Sequence, residues 1–353
     1  MKIKLAILEK DTSYLNRIVA VFSTKYADKF QIYSFSDPQI AISSVGAEKI
    51  DVLIANDSFE IDLSQLPKRC SFVYFVDSVD IDSINGQRAI CKFQKAELIY
   101  KQILSIFSEN AGRFADLKLT DDECAVYTFS SPCGGTGTSC VAAACAMRLA
   151  SQGKRVLYLN LNAFDSPDLF FAGEGQFGMS DVIFSLKSKK VNLAMKLESY
   201  VKQDVSGVYF FSQPNFALDM LELKQEEKLQ LISELKLLGA YDYLILDMDF
   251  GLDKQHMDFY NKSHVVVMVC DGSETSNTKV QRASAALTMM DQNSDMAMAG
   301  RFALVYNRFS SKTGRMIENI DIRNVGGAPV YANATCKQVA KQLMTMDMFD
   351  KLN

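Results

Sequence analysis

Apolar and polar positions follow two rhythms along this chain. Over the first 108 residues, Lys2 to Leu8 (KIKLAIL), Gln31 to Phe35, Asp51 to Ala55 and Phe72 to Val76 are short β-rich runs separated by helical patterns. That alternation predicts a five-stranded α/β unit. From residue 124 the alternation resumes, with strands expected at Ala125 to Phe129, Arg155 to Leu161 (RVLYLNL), Tyr241 to Asp247 (YDYLILD), His264 to Cys270 (HVVVMVC) and Phe302 to Tyr306. The unbroken apolar run of HVVVMVC marks a strand covered on both faces, as in a parallel sheet. Cys140 to Ala150 reads as an alanine-rich helix, and Gln225 to Leu238 sets Leu229, Ile232, Leu235 and Leu238 near helical spacing, as a covering helix does. The pattern therefore predicts two α/β domains, with ligand candidates at the C-terminal ends of the strands.

Composition refines this picture at a few points. A chain of 353 residues is long for one core, and the polar stretch Glu109 to Glu123 (ENAGRFADLKLTDDE) is the natural boundary. The expected division is 1–110, a linker at 111–122, and 123–353. Net charge is −4, with both signs mixed and no basic stripe, so a nucleic-acid partner is not expected. Eight cysteines are dispersed without a C-x-x-C pair, which fits small buried fillers in a reducing cytoplasm. The amino terminus lacks a signal-peptide pattern, and no apolar run approaches the roughly 20 residues of a spanning helix. Cys336 to Phe349 has Val339, Ala340, Leu343, Met344 and Met346 near helical spacing but only Lys337 and Lys341 as cations. A basic face for anionic lipid is missing, so core packing is the expectation and any membrane contact is indirect or weak.

The candidate chemistry sits in Cys133-Gly134-Gly135-Thr136-Gly137-Thr138-Ser139-Cys140, between a predicted strand and a predicted helix. Its glycines let backbone N–H groups converge on phosphate oxygens at a positive helix end. Ser139 stands where a hydroxyl ligand for Mg²⁺ belongs. Asp247 ends an apolar strand and is placed to hold a magnesium-bound water; a strand-terminal turn acid has the same pattern. Asp249 follows two residues on, and Asn307-Arg308 follows another strand end. Phe164 to Gly178 (FDSPDLFFAGEGQFG) reads either as a switch region or as a packed loop.

These residues resemble the deviant Walker A loop, K-G-G-x-G-K-[ST]-[ST], of the MinD and ParA superfamily, over about 230 residues of this chain. The resemblance implies a P-loop domain with a mostly parallel sheet, binding ATP and Mg²⁺, in which Asn307 reads the adenine edge with Arg308 beside it. Both family lysines are missing, Cys133 holding the first place and Thr138 the second. Each loss removes a charge-assisted contact of about 1.5–3 kcal/mol. Asn160 and Asn162 fall where the family has aspartates, and Asp249 is a candidate to replace an absent acid in part.

The first domain resembles the receiver domain of two-component signalling, a flavodoxin-like fold. Glu9 and Asp11 are similar to its metal-binding acidic pair and Lys92 to its lysine near the fifth strand, with Asp77 and Ser78 near the switch hydroxyl's place. The phosphoacceptor place, five after Asp51, is Asn56, with Asp57 adjacent. A pseudo-receiver used for docking or dimerisation is the expectation. An atypical receiver joined to a MinD-like ATPase is the layout of the TadZ and CpaE proteins of tight-adherence pilus systems. The resemblance implies a cytoplasmic, homodimeric localisation scaffold with weak or absent hydrolysis, meeting other pilus assembly or secretion proteins at a cell pole or the inner membrane face. Two alternatives stay open: a slow ParA-like cycling ATPase, and a signalling adaptor switched by phosphorylation.

Overall fold

The apolar runs of the amino-terminal half become strands of one sheet: β1 (Ile3–Leu8), α1 (Thr12–Lys25), β2 (Phe30–Phe35), α2 (Pro38–Ala47), β3 (Val52–Asn56), β4 (Ser71–Val76), β5 (Ser83–Ile84), β6 (Gln87–Cys91) and α3 (Ala96–Asn110). The computed structural model describes residues 2–110, 124–188, 192–292 and 298–352, so the expected linker at 111–122 lies outside the described residues. The strand order is β2-β1-β3-β4-β6-β5. Five strands run parallel, and the two-residue β5 adds a sixth, antiparallel to β6. Alternate β1 residues serve opposite faces: Leu5 and Ile7 pack with Phe22, Phe75 and Ile103, whereas Ala6 and Leu8 pack with Val45 and Leu53. Asp11 and Asp37 cap α1 and α2, each carboxylate accepting two backbone N–H groups of the first turn. Between β3 and β4, where the alternation predicts a helix, the chain instead forms only a short 3₁₀ turn at Leu63–Gln65, and Pro67 lacks the N–H that a continuing helix would use.

The second half continues with β7 (Ala125–Ser130), α4 (Thr138–Ser151), β8 (Val156–Asn160), α5 (Met179–Lys187), α6 (Leu193–Tyr200), β9 (Lys202–Gln203), β10 (Tyr209–Phe210), α7 (Ala217–Glu222), α8 (Gln225–Leu237), β11 (Tyr243–Asp247), α9 (Lys254–Lys262), β12 (Val265–Cys270), α10 (Glu274–Gln292), β13 (Phe302–Phe309), β14 (Arg323–Pro329) and α11 (Cys336–Leu343). These strands form an eight-stranded sheet, β14-β13-β12-β7-β11-β8-β10-β9, parallel throughout except between β9 and β10. All six residues of β12 are buried, as its apolar run requires. Helix α4 is buried along Val141 to Met147, where alanines bring it close to the sheet. Helix α11 packs Ala340 and Leu343 into the same core as α4, and Met348, Phe349 and Leu352 follow them there. The C-terminal segment is thus core material.

By contacts the chain divides into one unit of Met1–Asp116 with Ser188–Ser199, and a second of Leu117–Lys187 with Tyr200–Asn353. Most of α6, though encoded within the second domain, therefore belongs with the first. Glu198 accepts from Tyr100 (2.7 Å) and pairs with Lys29 (3.0 Å). The buried Lys196 ammonium lies 3.0 Å from Ser105 Oγ and 2.8 Å from Glu109 Oε1, and Met195 packs against the first unit's core. No sequence period announces this, because polar groups share the docking with Met195 in a segment of only two turns.

Candidate functional site

Strand β7 ends at Ser130 and α4 begins at Thr138, so residues 131–137 form the glycine loop at a helix N-terminus. Gly135 and Gly137 both have φ of +81°, a conformation L side chains rarely adopt. The two glycines differ in what surrounds them. A Cβ on Gly135 would meet nothing within 4 Å, whereas one on Gly137 would lie 2.5 Å from Asn307 Nδ2. Gly137 caps α4 without any side-chain hydrogen bond, which leaves the first-turn N–H groups free of a side-chain acceptor. The loop is braced from below by Ser131 Oγ, 2.6 Å from the Val269 carbonyl, and by Thr136, whose hydroxyl donates to the Cys133 carbonyl (3.3 Å). The Cys140 side chain packs toward the apolar core, where burial pushes its thiol up to about 12. Cys140 therefore offers the loop only its backbone.

Asp247 ends β11 in register with Phe129 of β7 and Asn160 of β8, which sets it beneath the loop. It is 1% exposed, and burial pushes its carboxyl up to about 6, opposed by the Tyr158 hydroxyl that donates to Oδ2 at 2.6 Å. The Ser139 hydroxyl has one hydrogen, and it goes to Asp165 Oδ2 at 2.6 Å. Sequence reading did not single out Asp165. The available signal was its position just after Asn160 and Asn162, in the segment read as a switch or packed loop. Asn160 Oδ1 accepts from the Asn162 backbone (2.8 Å), and its buried Nδ2 has no hydrogen-bond partner. Asp249 turns elsewhere. His256 Nε2 lies 3.6 Å from it, and that hydrogen-bonding partner holds the Asp249 carboxyl below its usual value.

Asn307 and Arg308 reach the loop from the far end of β13. Asn307 is 1% exposed; its Nδ2 donates to the Thr136 carbonyl (2.8 Å), while Oδ1 is buried with no hydrogen-bond partner. Arg308 Nη1 donates to the Gly135 carbonyl (2.8 Å) from a left-handed backbone at φ +58°. In this structure the Asn307 amide nitrogen is thus spent on the loop itself, and its oxygen is the atom left to receive a donor. Lys228 of α8 donates to the Leu161 carbonyl, just past β8, at 3.4 Å, and burial lowers its pKa.

The first domain has a polar cluster of its own. Asn56 ends β3, is 6% exposed, and donates to both oxygens of the buried Glu9 at 3.1 Å. Asp57 is exposed, so Asn56 occupies the place in the cluster. Asp11, read as the second acid of a pair, caps α1. The Lys92 ammonium lies 2.8 Å from Asp77 and 3.6 Å from Glu9. Burial works against its charge, yet those two acids hold its pKa above the ordinary lysine value. Both carboxylate oxygens of Glu9 are engaged by protein donors.

Residues 1–108 match the family described as "TadZ-like, receiver domain". No curated protein sequence matches the chain. Among solved structures, a ParA family ATPase from Chlorobium tepidum TLS is similar at 17% identity, covering 65% of this chain and 97% of that one, with a TM-score of 0.51. A chain of the MinC:MinD cell division protein complex of Aquifex aeolicus matches at 17% identity (65% and 95% covered, TM-score 0.44), and the cell division ATPase MinD of Pyrococcus furiosus at 16% (65% and 99%, TM-score 0.43). The chain thus joins a TadZ-like receiver domain to a domain with the fold of ParA-family ATPases.

Proposed function

We propose that this protein is a nucleotide-binding scaffold of the positioning type, which holds ATP and Mg²⁺ with little or no hydrolysis and serves the assembly of a tight-adherence pilus. The observation that carries the reading is a glycine loop on an uncapped helix end, with hydroxyl and carboxylates beneath it and no cation of its own. The residues fit the ligand. The free N–H groups of the first turn of α4 suit phosphate oxygens, and the orphaned Asn307 Oδ1 suits a donor such as the exocyclic amine of adenine. Ser139, Asp247 and Asp165 are the residues that would hold Mg²⁺, and the ion, when bound, would supply charge neutralisation to the phosphates.

What this chain's residues withhold is as informative. Asn160 and Asn162 present amides where a base would orient water, and neither Cys133 nor Thr138 can stabilise charge on a transferring phosphoryl group. Asp165 is the one feature that favours the second reading, a slow cycling ATPase, because it returns a carboxylate to the serine. The adaptor reading is disfavoured by Asn56, which occupies the acceptor place and cannot form an acyl phosphate. Homodimerisation, contact with other pilus assembly or secretion proteins, and placement at a pole or the inner membrane face belong to the proposal. Among the described residues no helix is long and apolar enough to cross a membrane, so membrane contact would run through partners.

The test is to denature purified protein, identify any released nucleotide, and then measure single-turnover hydrolysis with Mg²⁺. ATP or ADP bound in near-stoichiometric amount with negligible turnover is expected. Steady hydrolysis at the rate of active relatives would replace the scaffold with the ATPase, and failure to bind any nucleotide would end both.

A further inference from the structure

A cation from elsewhere in the chain lies against the glycine loop. Cys133 and Thr138 leave the loop without a cation, yet Arg308 Nη1 is hydrogen-bonded to the Gly135 carbonyl at 2.8 Å from 173 positions away. Arg308 Cδ lies 3.8 Å from where a Cβ on Gly137 would stand, so the side chain runs along the loop. Among the described residues no carboxylate pairs with it, and the side chain is exposed. Its backbone is held at φ +58°, a conformation that persists in a non-glycine residue only where the surroundings impose it. Asn307 beside it is anchored to the Thr136 carbonyl, and the β13–β14 register is irregular between Tyr306 and Phe309.

Resting on the nucleotide reading, we propose that Arg308 supplies in place of a loop lysine the positive charge that binds the nucleotide's terminal phosphates. The guanidinium has five N–H donors, one of which is occupied by Gly135, so a fork remains for phosphate oxygens. Arginine keeps its charge at any working pH and matches phosphate geometry bidentately. The bond to Gly135 fixes the guanidinium beside the same backbone whose N–H groups face the ligand. Asn307 and Arg308 thereby divide the work: the first locks the loop, the second charges it.

The experiment compares full-length wild type, Arg308→Ala and Arg308→Ala/Thr138→Lys. Affinity for a fluorescent ATP analogue with Mg²⁺ is measured by titration, binding of adenosine by saturation-transfer NMR, and the melting temperature without ligand by calorimetry. Arg308→Ala should weaken ATP binding about tenfold, the size of one charged hydrogen bond, with adenosine binding and the ligand-free melting temperature unchanged. The added lysine should restore ATP binding. Unchanged ATP affinity in Arg308→Ala overturns the proposal, and so does an equal loss for ATP and adenosine, which would make Arg308 a structural clasp on the loop. A double variant as weak as Arg308→Ala would deny that charge is what Arg308 contributes. Wild-type protein that binds no nucleotide would fail the underlying reading, whereas the other negative results leave it standing.

Discussion

Gly135 and Gly137 share a backbone angle but not a reason for it. At Gly137 an alanine methyl would strike the Asn307 amide, so Gly137→Ala should destabilise the folded protein by about 1–3 kcal/mol, visible in ligand-free denaturation. At Gly135 the space is open, so a bulky residue there adds backbone strain but no clash with the protein; its main effect should be on nucleotide affinity. A Gly135→Val variant that melts earlier than Gly137→Ala would contradict this division. The two histidines give a second measurement. Asp249 and Asp253 raise the pKa of His256, while burial and the nearby Lys236 and Arg301 lower that of His264. NMR titration should place His256 above the ordinary 6.5 and His264 below it. The signs follow for stability: the His256 contribution is present below pH 6.5 and fades as pH rises through its higher folded value, whereas His264 costs stability as pH falls below 6.5 toward its folded value. Residue identity announced the glycines, Ser139 and Asp247 by type and spacing. Asp165 was not legible, because a carboxylate in an irregular loop has no period, and only folding brings it to Ser139.

At the scale of elements, most strands of both sheets were readable, because central strands buried on both faces leave continuous apolar runs. Strands β5, β9 and β10 were not, since two residues carry no period, nor was β14, whose glycines and exposed positions break the apolar run. The 57–70 connection likewise lacks the helix that full alternation would suggest. The end of β3 makes a sharper test. Asn56→Asp would set a second carboxylate against the buried Glu9 and remove two donated hydrogen bonds, so the variant should lose about 1–3 kcal/mol at neutral pH. Adding Mg²⁺ should recover part of the loss if a cation can displace the Lys92 ammonium. Chemical denaturation with and without Mg²⁺ reads both effects. Wild-type protein should take no acid-labile phosphate from acetyl phosphate. Docking of α6 is testable in the same way: Glu198→Ala strips the acceptor from Tyr100 and the partner from Lys29, and should speed amide exchange in α3.

For the molecule as a whole, the proposed homodimer makes Cys133 the position to test. The deviant Walker A loop that residues 133–140 resemble has a lysine at this place, which the resemblance implies would cross to the other subunit's nucleotide and tie association to ATP. Cys133 makes no such bridge, so a dimer of this chain must rest on other surface and should depend only weakly on nucleotide. Sedimentation across protein concentrations, with and without ATP and Mg²⁺, checks this; a monomer that pairs only when ATP is added would refute it. The two α/β sheets were legible from the alternation of apolar runs, but the return of residues 193–199 to the first unit was not, because a boundary drawn along the sequence assumes that each domain is continuous.

That return has a consequence in time. As the chain leaves the ribosome, residues 1–110 emerge with every strand of the receiver sheet, yet the groups that engage Tyr100, Ser105 and Lys29 follow only when residue 199 appears. At roughly 5–20 residues per second, that interval is on the order of 5–20 s. For that period the nascent receiver carries a face lacking its final cover, so the earliest folded domain of this protein is finished by the later one's translation.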